Sequence, residues 1–457
     1  MKNNKYIYLV FVLLLGASIQ AQSKKWTLEE CVRYALENNI SIKQSELDTQ
    51  TIAIDKKDAF GKFLPTANAQ LSHSWNIGLN QDITTGILRN QTTQFTSAGA
   101  SVGIDIYRGL QNQNALRKAN LSIMASKYQL LKMQEDISLN VANAFLQVLF
   151  NKENLKVQQE QLAISEKQYT RSDELVKAGT IPRGDLLDIK ATVATNKQNV
   201  VIAENTLLIS KLSLAQLLQL KEFDDFDVVD NTNISAGETI LAQSPVAIYE
   251  KAKETRTELK IAKANLEIAE KNVAIARGAY QPSLKGFYNF NSRVSNSDRT
   301  TLVGGTAVVT GPAPFWNQFS DNKGQSFGAE LSIPIFNGFS VRNNVERNKV
   351  SLEKSKIELE QKNLDLQRNV YTAFTDTKGA LNAHEAAVVA LEARQGAYDY
   401  AKEKFAVGLM NAFDFNQSQT LLTNAQSEVI RTKYDYIFKT KILEFYFGIP
   451  IVPIVKN

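Results

Sequence analysis

The chain alternates between helical and strand-like patterning, and it does so twice. From Thr27 the apolar residues Leu28, Cys31, Val32, Ala35 and Leu36 fall on one helical face, and Thr27 with Glu30 forms a capping box. This predicts one helix ending before Pro65. The period then drops to two. Ala67, Ala69, Leu71, Trp75 and Ile77 alternate with Thr66, Asn68, Gln70, Ser72, Ser74 and Asn76, with His73 interrupting the apolar face. Ala98, Ala100, Val102, Ile104 and Ile106 alternate in the same way. After Gly109 a proline-free stretch from Leu110 to Ala178 predicts a very long helix of roughly 100 Å at about 1.5 Å per residue. A turn at Ala178-Gly179-Thr180-Ile181-Pro182 follows, and a returning helix ends near Leu220.

The same order recurs downstream. Residues 99–220 lie over 328–449 without a gap, so Gly338 answers Gly109, Gly408 answers Gly179 and Asp414 answers Asp185. A second register puts Pro65 on Pro282 and Lys43 on Lys260. The second copy therefore predicts a helix from about Pro245 to Tyr280 and a strand carrying Leu284, Tyr288 and Phe290. A further strand carries Phe327, Ala329, Leu331, Ile333 and Ile335, and a long helix runs from Phe339 to Val407. The chain divides into 22–220, an acidic segment 221–244, 245–449 and a tail 450–457. A unit written twice predicts a pseudo-symmetric object.

Four strands of about 10–12 residues suit either a tilted crossing of a bilayer or a soluble sandwich with one wet face. In lipid, an open sheet edge leaves backbone groups unpaired, so four strands would need further copies to close. The long helix carries two heptad series: Val350, Ile357, Leu364 and Tyr371, and Leu352, Leu359, Leu366 and Ala373. They lie about 200° apart, which predicts a neighbour on each side. The first copy echoes them with Leu121, Tyr128 and Ala142, broken by Glu135, and with Ile123, Leu130, Ile137 and Ala144.

Residues 1–21 read as a secretory signal, with Lys2 and Lys5 before the apolar Tyr6–Leu15. No later run approaches 18 consecutive apolar residues, which argues against a helical membrane span. The formal charge of +5 falls to +3 without Lys2 and Lys5, too mild for a nucleic-acid groove. Cys31, the only cysteine, cannot form an internal disulfide and sits in an apolar stripe. His73 and His384 are the only histidines, and no nucleophile, metal cluster or phosphate loop appears, so neither catalysis nor a cofactor is expected.

Trp26 through Asn39, the two strand-to-helix glycine turns, and the tips Gly179-(x)5-Asp185-Leu186-Leu187 and Gly408-(x)5-Asp414-Phe415 together resemble the TolC-like outer-membrane efflux proteins. The resemblance spans the mature chain. It implies a mostly α-helical protein with a membrane β-barrel portion: a homotrimer whose 12-strand barrel is continued by a long α-helical barrel in the periplasm. It implies an exit duct coupled through a periplasmic adaptor (a membrane fusion protein) to an inner-membrane pump or ABC exporter. A periplasmic coiled-coil adaptor or structural envelope protein is the alternative, although it needs no paired amphipathic strands.

The resemblance also assigns the tips. Asp185 and Asp414 would converge in an acidic ring at the periplasmic entrance. Asp188 adds a carboxylate that Gln417 does not match, and Arg183 is a candidate partner for a carboxylate. Gly179, Thr180, Ile181, Pro182, Gly408, Leu409 and Met410 form the turns that would contact the adaptor, with Ile181, Leu409 and Met410 exposed. The bland reading of each Asp is favourable charge at a helix N-terminus, and of each Gly a left-handed turn residue. The connections Leu79–Thr96 and Val294–Gly324 are expected outside the cell.

Overall fold

A computed structural model describes residues 25–81, 88–222, 225–230 and 237–451. The expected signal segment and the end of the tail lie outside the described residues. Two compact units are present. Of the described residues, one comprises those up to Leu47, Tyr128–Lys260 and those from Glu360 to Ile451; the other comprises Asp48–Lys127 and Ile261–Leu359.

The second unit holds the sheet. Strands β2 (Thr66–Gln81), β3 (Leu88–Arg108), β5 (Ser283–Ser295) and β8 (Gly324–Ser332) pair antiparallel in the order β2-β3-β5-β8, after β1 (Lys25–Trp26) and β4 (Asp227–Val228) of the other unit. The first hairpin is longer than expected, at 16 and 21 residues. Polar Asn, Gln and Thr carry the ladder as far as Gln81 and Leu88, so the expected connection Leu79–Thr96 is largely strand. The last strand is shorter than expected and stops at Ser332, ahead of Pro334, which has no amide to donate. The insert of the second copy contains a hairpin, β6 (Arg299–Val303) and β7 (Thr306–Thr310), and a short helix Phe315–Asp321. Gln318 of that helix bridges back to the end of β5: its Nε2 donates to the Ser295 carbonyl at 2.9 Å and its Oε1 accepts from the Ser295 amide at 3.0 Å.

The pairing register preserves the duplication. Thr66 faces Gly103 in the first hairpin, and the matching Ser283 faces Ser332 in the second. One side of the sheet carries Leu71, Trp75, Val102, Tyr288, Phe327 and Leu331. The opposite side carries Gln70, Ser72, Ser101, Asn289 and a cross-strand row of Asp105, Lys285 and Glu330. Most of the apolar side is bare, with Ile77 82% exposed and Phe327 84%; only the end of β5 is covered, where Ser292 and Val294 are buried and Phe319 of the short helix lies against Phe290.

Each strand of the four-stranded sheet joins a helix. In chain order these are α1 (Leu28–Asn38), α2 (Ile40–Gly61), α3 (Gln111–Lys177), α4 (Arg183–Leu218), α5 (Gly237–Leu241), α6 (Pro245–Thr255), α7 (Thr257–Gly278), α8 (Phe315–Asp321), α9 (Ser340–Ala406) and α10 (Ala412–Phe447). The long helices α3 and α9 are 67 residues each, and the returning helices α4 and α10 are 36 each. Glycine is required where β3 turns into α3. Gly109 has φ +57°, and a Cβ there would lie 2.1 Å from the Gly278 carbonyl oxygen at the end of α7. The reverse holds too, with a Cβ on Gly278 2.4 Å from the Gly109 oxygen.

One expectation is corrected in both copies. The helix before each first strand is two helices, broken at Asn39 (ψ 130°) and at its counterpart Arg256 (ψ 129°). The break lets each segment dock on the end of a returning helix. Asn39 Nδ2 donates to the Leu217 carbonyl at 3.0 Å, near the end of α4, while its Oδ1 accepts from the Ser41 amide that starts α2. Arg256 lies 3.8 Å over the Phe445 ring, near the end of α10, and binds Glu258 through two nitrogens. Its Nη2 also reaches Glu135 at 3.2 Å, and Thr257 Oγ1 donates to Glu135 at 3.0 Å. Glu135, the residue that interrupts the heptad series of α3, is therefore the polar answer to Thr257 and Arg256.

The acidic segment is docked on the first unit by cations. Asp227 in β4, which pairs with β1, takes Lys152 at 2.7 Å and Lys211 at 3.0 Å. Asp230 accepts the Tyr434 hydroxyl at 2.9 Å. The Thr27–Glu30 capping box forms, and Cys31 is fully buried in the core with Val32, Phe145, Leu149 and Leu218. Burial pushes its thiol up to about 12.

The paired seams separate the copies. In α3 both series are covered or half-covered. In α9 Leu366 and Ala373 are buried, while Val350, Ile357 and Leu364 stand exposed. The reading of the returning helices also changes. Helix α4 is long and apolar enough to cross a membrane by length and composition alone. Ser, Thr, Asn, Lys197, Glu204 and Lys211 interrupt its Val, Ile and Leu residues, so it contains no run of 18 consecutive apolar residues.

Two outcomes follow. Arg256→Met leaves Glu135 and Glu258 without their shared cation in a part-buried site, and is expected to destabilise the protein by about 3 kcal/mol; chemical unfolding in detergent reads the change. Burial pushes the Asp227 carboxyl up, but Lys152 and Lys211 outweigh it and hold it below the usual range. A depressed folded value means stability that is present above the ordinary carboxylate range and lost as pH falls through the folded value. Asp227→Asn should therefore lower stability at neutral pH, and its difference from the parent should vanish in strong acid.

Candidate functional site: the two hairpin tips

The tips are built alike. Gly179 has φ +74° and Gly408 φ +76°. In each, the residue after the glycine donates its amide back into the last turn of the long helix, Thr180 to the Leu175 carbonyl at 2.9 Å and Leu409 to the Lys404 carbonyl at 2.9 Å. This is the Schellman closure of a long helix, and it needs the left-handed residue that glycine supplies. The restarts differ. Pro182 precedes α4 without a side-chain cap, whereas Asn411 caps α10 by accepting from the Asp414 amide at 2.8 Å.

The residues singled out in the sequence are not equivalent in space. Asp185 is half-buried and lines a cavity of about 1010 Å³ between the tips, with Thr180, Ile181, Pro182, Gly408, Leu409 and Met410. Asp188, Asp414 and Gln417 are outside that lining, and Asp188 and Asp414 are exposed. Asp414 accepts from Asn411 Nδ2 at 2.9 Å. Among the described residues no ion pair joins Arg183 to a carboxylate. Leu409 is 76% exposed, as expected, but Ile181 and Met410 are half-buried. Met410 packs on a cluster of Tyr398, Phe405 and Phe415 in which Phe405 and Phe415 stack at 4.7 Å. The first copy has Tyr169, Val176 and Leu186 at the matching positions, so only the second tip has an aromatic floor for its methionine.

Sequence reasoning missed a polar seam behind the tips. A cavity of about 560 Å³ lies among α3, α4 and α10, lined by Asn154, Gln161, Thr192, Asn196, Asn416 and Thr423 among others. Asn416 Nδ2 donates to Thr192 Oγ1 at 3.3 Å, and Asn196 Nδ2 donates to Ser165 Oγ at 3.1 Å. The buried Asn416 Oδ1 and both amide atoms of Gln419 have no protein partner, which fits a seam that water can enter. Asn, Gln and Thr at inward helical positions were the available signal. Among the described residues no group of His, Cys, Asp and Glu is arranged to hold a metal ion.

The sequence pattern of the outer membrane efflux protein family matches residues 32–219 and 248–447. The chain belongs to that family, and it is an efflux protein of the outer membrane. It is 22% identical over 402 residues to the outer membrane protein TolC of Vibrio cholerae, covering 86% of each chain. It is 24% identical over 362 residues to the pyoverdine export outer membrane protein OpmQ of Pseudomonas aeruginosa, covering 75% of this chain and 68% of the relative. Its fold is similar to that of CusC, with a TM-score of 0.76 at 16% identity over 92% of this chain and 91% of that one. It is also similar to the outer membrane protein VceC of Vibrio cholerae, with a TM-score of 0.73 at 14% identity over 92% of this chain and 96% of that one.

Asn411→Ala should remove the cap of α10 at a cost of about 1 kcal/mol. Amide exchange is expected to accelerate over residues 409–415 and to stay unchanged over 179–185, where the restart has no side-chain cap to lose.

Proposed function

We propose that this chain forms the exit duct of a tripartite efflux or type I secretion system. Three copies assemble into a passive channel, opened when its hairpin tips meet a periplasmic adaptor that links it to an inner-membrane pump or ABC exporter. The observation that carries this reading is the four-stranded sheet with a largely bare apolar side and a polar side bearing Asp105, Lys285 and Glu330. A contiguous apolar patch of this kind is unfavourable in water and suited to lipid. Four strands lie below the smallest lipid-embedded barrel of about eight, so copies must supply the rest. Three copies give twelve staves, in keeping with the family resemblance. The bare seam of α9 at Val350, Ile357 and Leu364, and a second on α2 at Ile40, Leu47 and Ile54, fit helices that also seek neighbours in further copies.

At the entrance, Asp185 and Asp414 of three copies place six carboxylates around the pore. Such a ring favours cations through its negative potential. The exposed Leu409 and the glycine turns Gly179 and Gly408 are the adaptor-facing elements, with Thr180, Ile181, Pro182 and Met410 supporting them from the cavity side. No catalytic residue or cofactor enters this reading.

The protein is expected to fractionate with the outer membrane, to run as a trimer in detergent and to conduct ions in a planar bilayer. A detergent-free soluble monomer would remove the reading. Asp185→Asn combined with Asp414→Asn should reduce cation preference in the same bilayer; unchanged selectivity would place the constriction elsewhere.

A further inference from the structure

The two copies bring aromatic rings to the same place on the sheet by different routes. In the register that sets Pro65 on Pro282, Trp75 answers Ser292. Trp75 is 61% exposed on the apolar side, its ring edge-on to His73 at 4.3 Å. Ser292 carries no ring, yet it is only 3% exposed, because α8 lies on it. Its Oγ donates to the Phe319 carbonyl at 2.7 Å. Where the first copy has a tryptophan on the strand, the second has a small residue that seats a helix bearing Phe315, Trp316 and Phe319.

The pairing register fixes which side α8 occupies. Ser292 is opposite Ala98, just as Phe290 is opposite Ala100 and Tyr288 opposite Val102. These residues share the apolar side, while Lys285 and Asn289 alternate onto the other. Phe319 lies against Phe290 with ring centroids 6.4 Å apart. A helix of seven residues is too short to persist alone in water. Polar bonds to the strand hold it instead. Gln318, 4% exposed, exchanges two bonds with Ser295 and donates to the Ala313 carbonyl at 2.6 Å. Asn322 Nδ2, at the end of the helix, donates to the Arg293 carbonyl at 2.7 Å.

What these bonds hold outward is apolar. Phe315 stacks on Phe319 at 6.4 Å and meets Trp316 edge-on at 5.2 Å. Trp316 is nevertheless 73% exposed and Phe315 44%. An indole has an apolar body and one N–H donor, so it is favoured where hydrocarbon meets headgroups. The position along the strand agrees. From Leu284 to Val294, β5 covers about 33 Å of strand, or roughly 25 Å along the normal at a tilt near 40°, which is the height of the apolar band of a membrane barrel. Helix α8 sits at the far end of that stretch, and the chain beyond it continues as Asn296, Ser297 and Asp298.

We propose that α8 is an interfacial anchor, seated at the boundary between headgroups and acyl chains of the outer leaflet, with Phe315 and Trp316 in lipid. This rests on the lipid-facing sheet of the proposed function and adds a membrane contact made outside the strands. The occupant is lipid because the aromatic cluster is joined through Phe319 and Phe290 to the side of the sheet that faces lipid, and because its rings lie where that side ends. The same geometry puts this part of the second copy's insert on the outer flank of the barrel and away from the channel mouth, since α8 packs on the side opposite Lys285 and Asn289.

Tryptophan quenching in the full-length protein, reconstituted in phosphatidylcholine vesicles, tests the anchor. Trp26 packs on Tyr34 and Phe226 in the other unit, and the double variant Trp75→Phe, Trp316→Phe measures its emission as background. With that background subtracted, Trp75→Phe reports Trp316 alone. Lipid brominated near the headgroup is expected to quench Trp316 at least twofold more than lipid brominated near the chain ends, and aqueous iodide to quench it little. The difference between wild type and Trp316→Phe gives the same quantity without altering Trp75. Quenching by iodide without quenching by lipid puts α8 in water and overturns the proposal. Access to neither quencher puts Trp316 under protein, a neighbouring copy included, and overturns it equally; stronger quenching from the chain ends overturns the interfacial depth. Trp316→Phe, which leaves Trp75, separates the two claims. No lipid quenching of Trp75 defeats the lipid-facing sheet, whereas a lipid-quenched Trp75 beside an unquenched Trp316 defeats the anchor alone.

Discussion

Under the proposed function, one backbone requirement organises this protein. A sheet that faces lipid must pair its amides and carbonyls, because hydrocarbon offers no alternative partner. Four strands in the order β2-β3-β5-β8 leave two edge strands, and the apolar side of the sheet is largely bare away from the end of β5 that α8 covers. The helices carry the same incompleteness. The first heptad series is covered in α3 and bare in α9, although the two helices are matched in length at 67 residues. A chain built to be sufficient alone would have no reason to leave one of two equivalent surfaces unpacked.

Duplication makes this incompleteness regular. Asn39 and Arg256 break their helices at the same place with the same extended backbone, yet they satisfy the break differently. Asn39 uses one short amide to bind the Leu217 carbonyl and the Ser41 amide. Arg256 needs two carboxylates and an aromatic ring. The two carboxylates are shifted in opposite directions. Burial raises the Glu135 value beyond what Arg256 and Thr257 offset, whereas the bidentate bonds from Arg256 outweigh burial at Glu258 and hold it low. The two copies thus share backbone geometry and differ in chemistry where one contact is internal and its counterpart lies at a margin.

The tips show the same division. Both are closed by a left-handed glycine, a backbone solution that admits few side chains. Beyond the glycine they diverge: a proline start in one, an asparagine cap and an aromatic floor in the other. Behind them the seam of Asn, Gln and Thr around a cavity of about 560 Å³ contrasts with the apolar core of Cys31, Phe145 and Leu218.

The sequence alone determined the duplication, the order of the four sheet strands and of the long and returning helices, the ends of α3, α4, α9 and α10 to within a few residues, and both glycine turns. These are local or periodic properties, set by residue spacing and by the backbone freedom of glycine. The tertiary structure decided what depends on neighbours. It alone revealed the breaks at Asn39 and Arg256, because each is stabilised by residues far away in the chain. It also placed Met410 and Ile181 in partial cover rather than full exposure, and showed that Asp185 lines the cavity between the tips while Asp414 does not. Which of two equivalent heptad series is bare could not be read from a pattern that both copies share; it depends on which helix happens to lie beside each one.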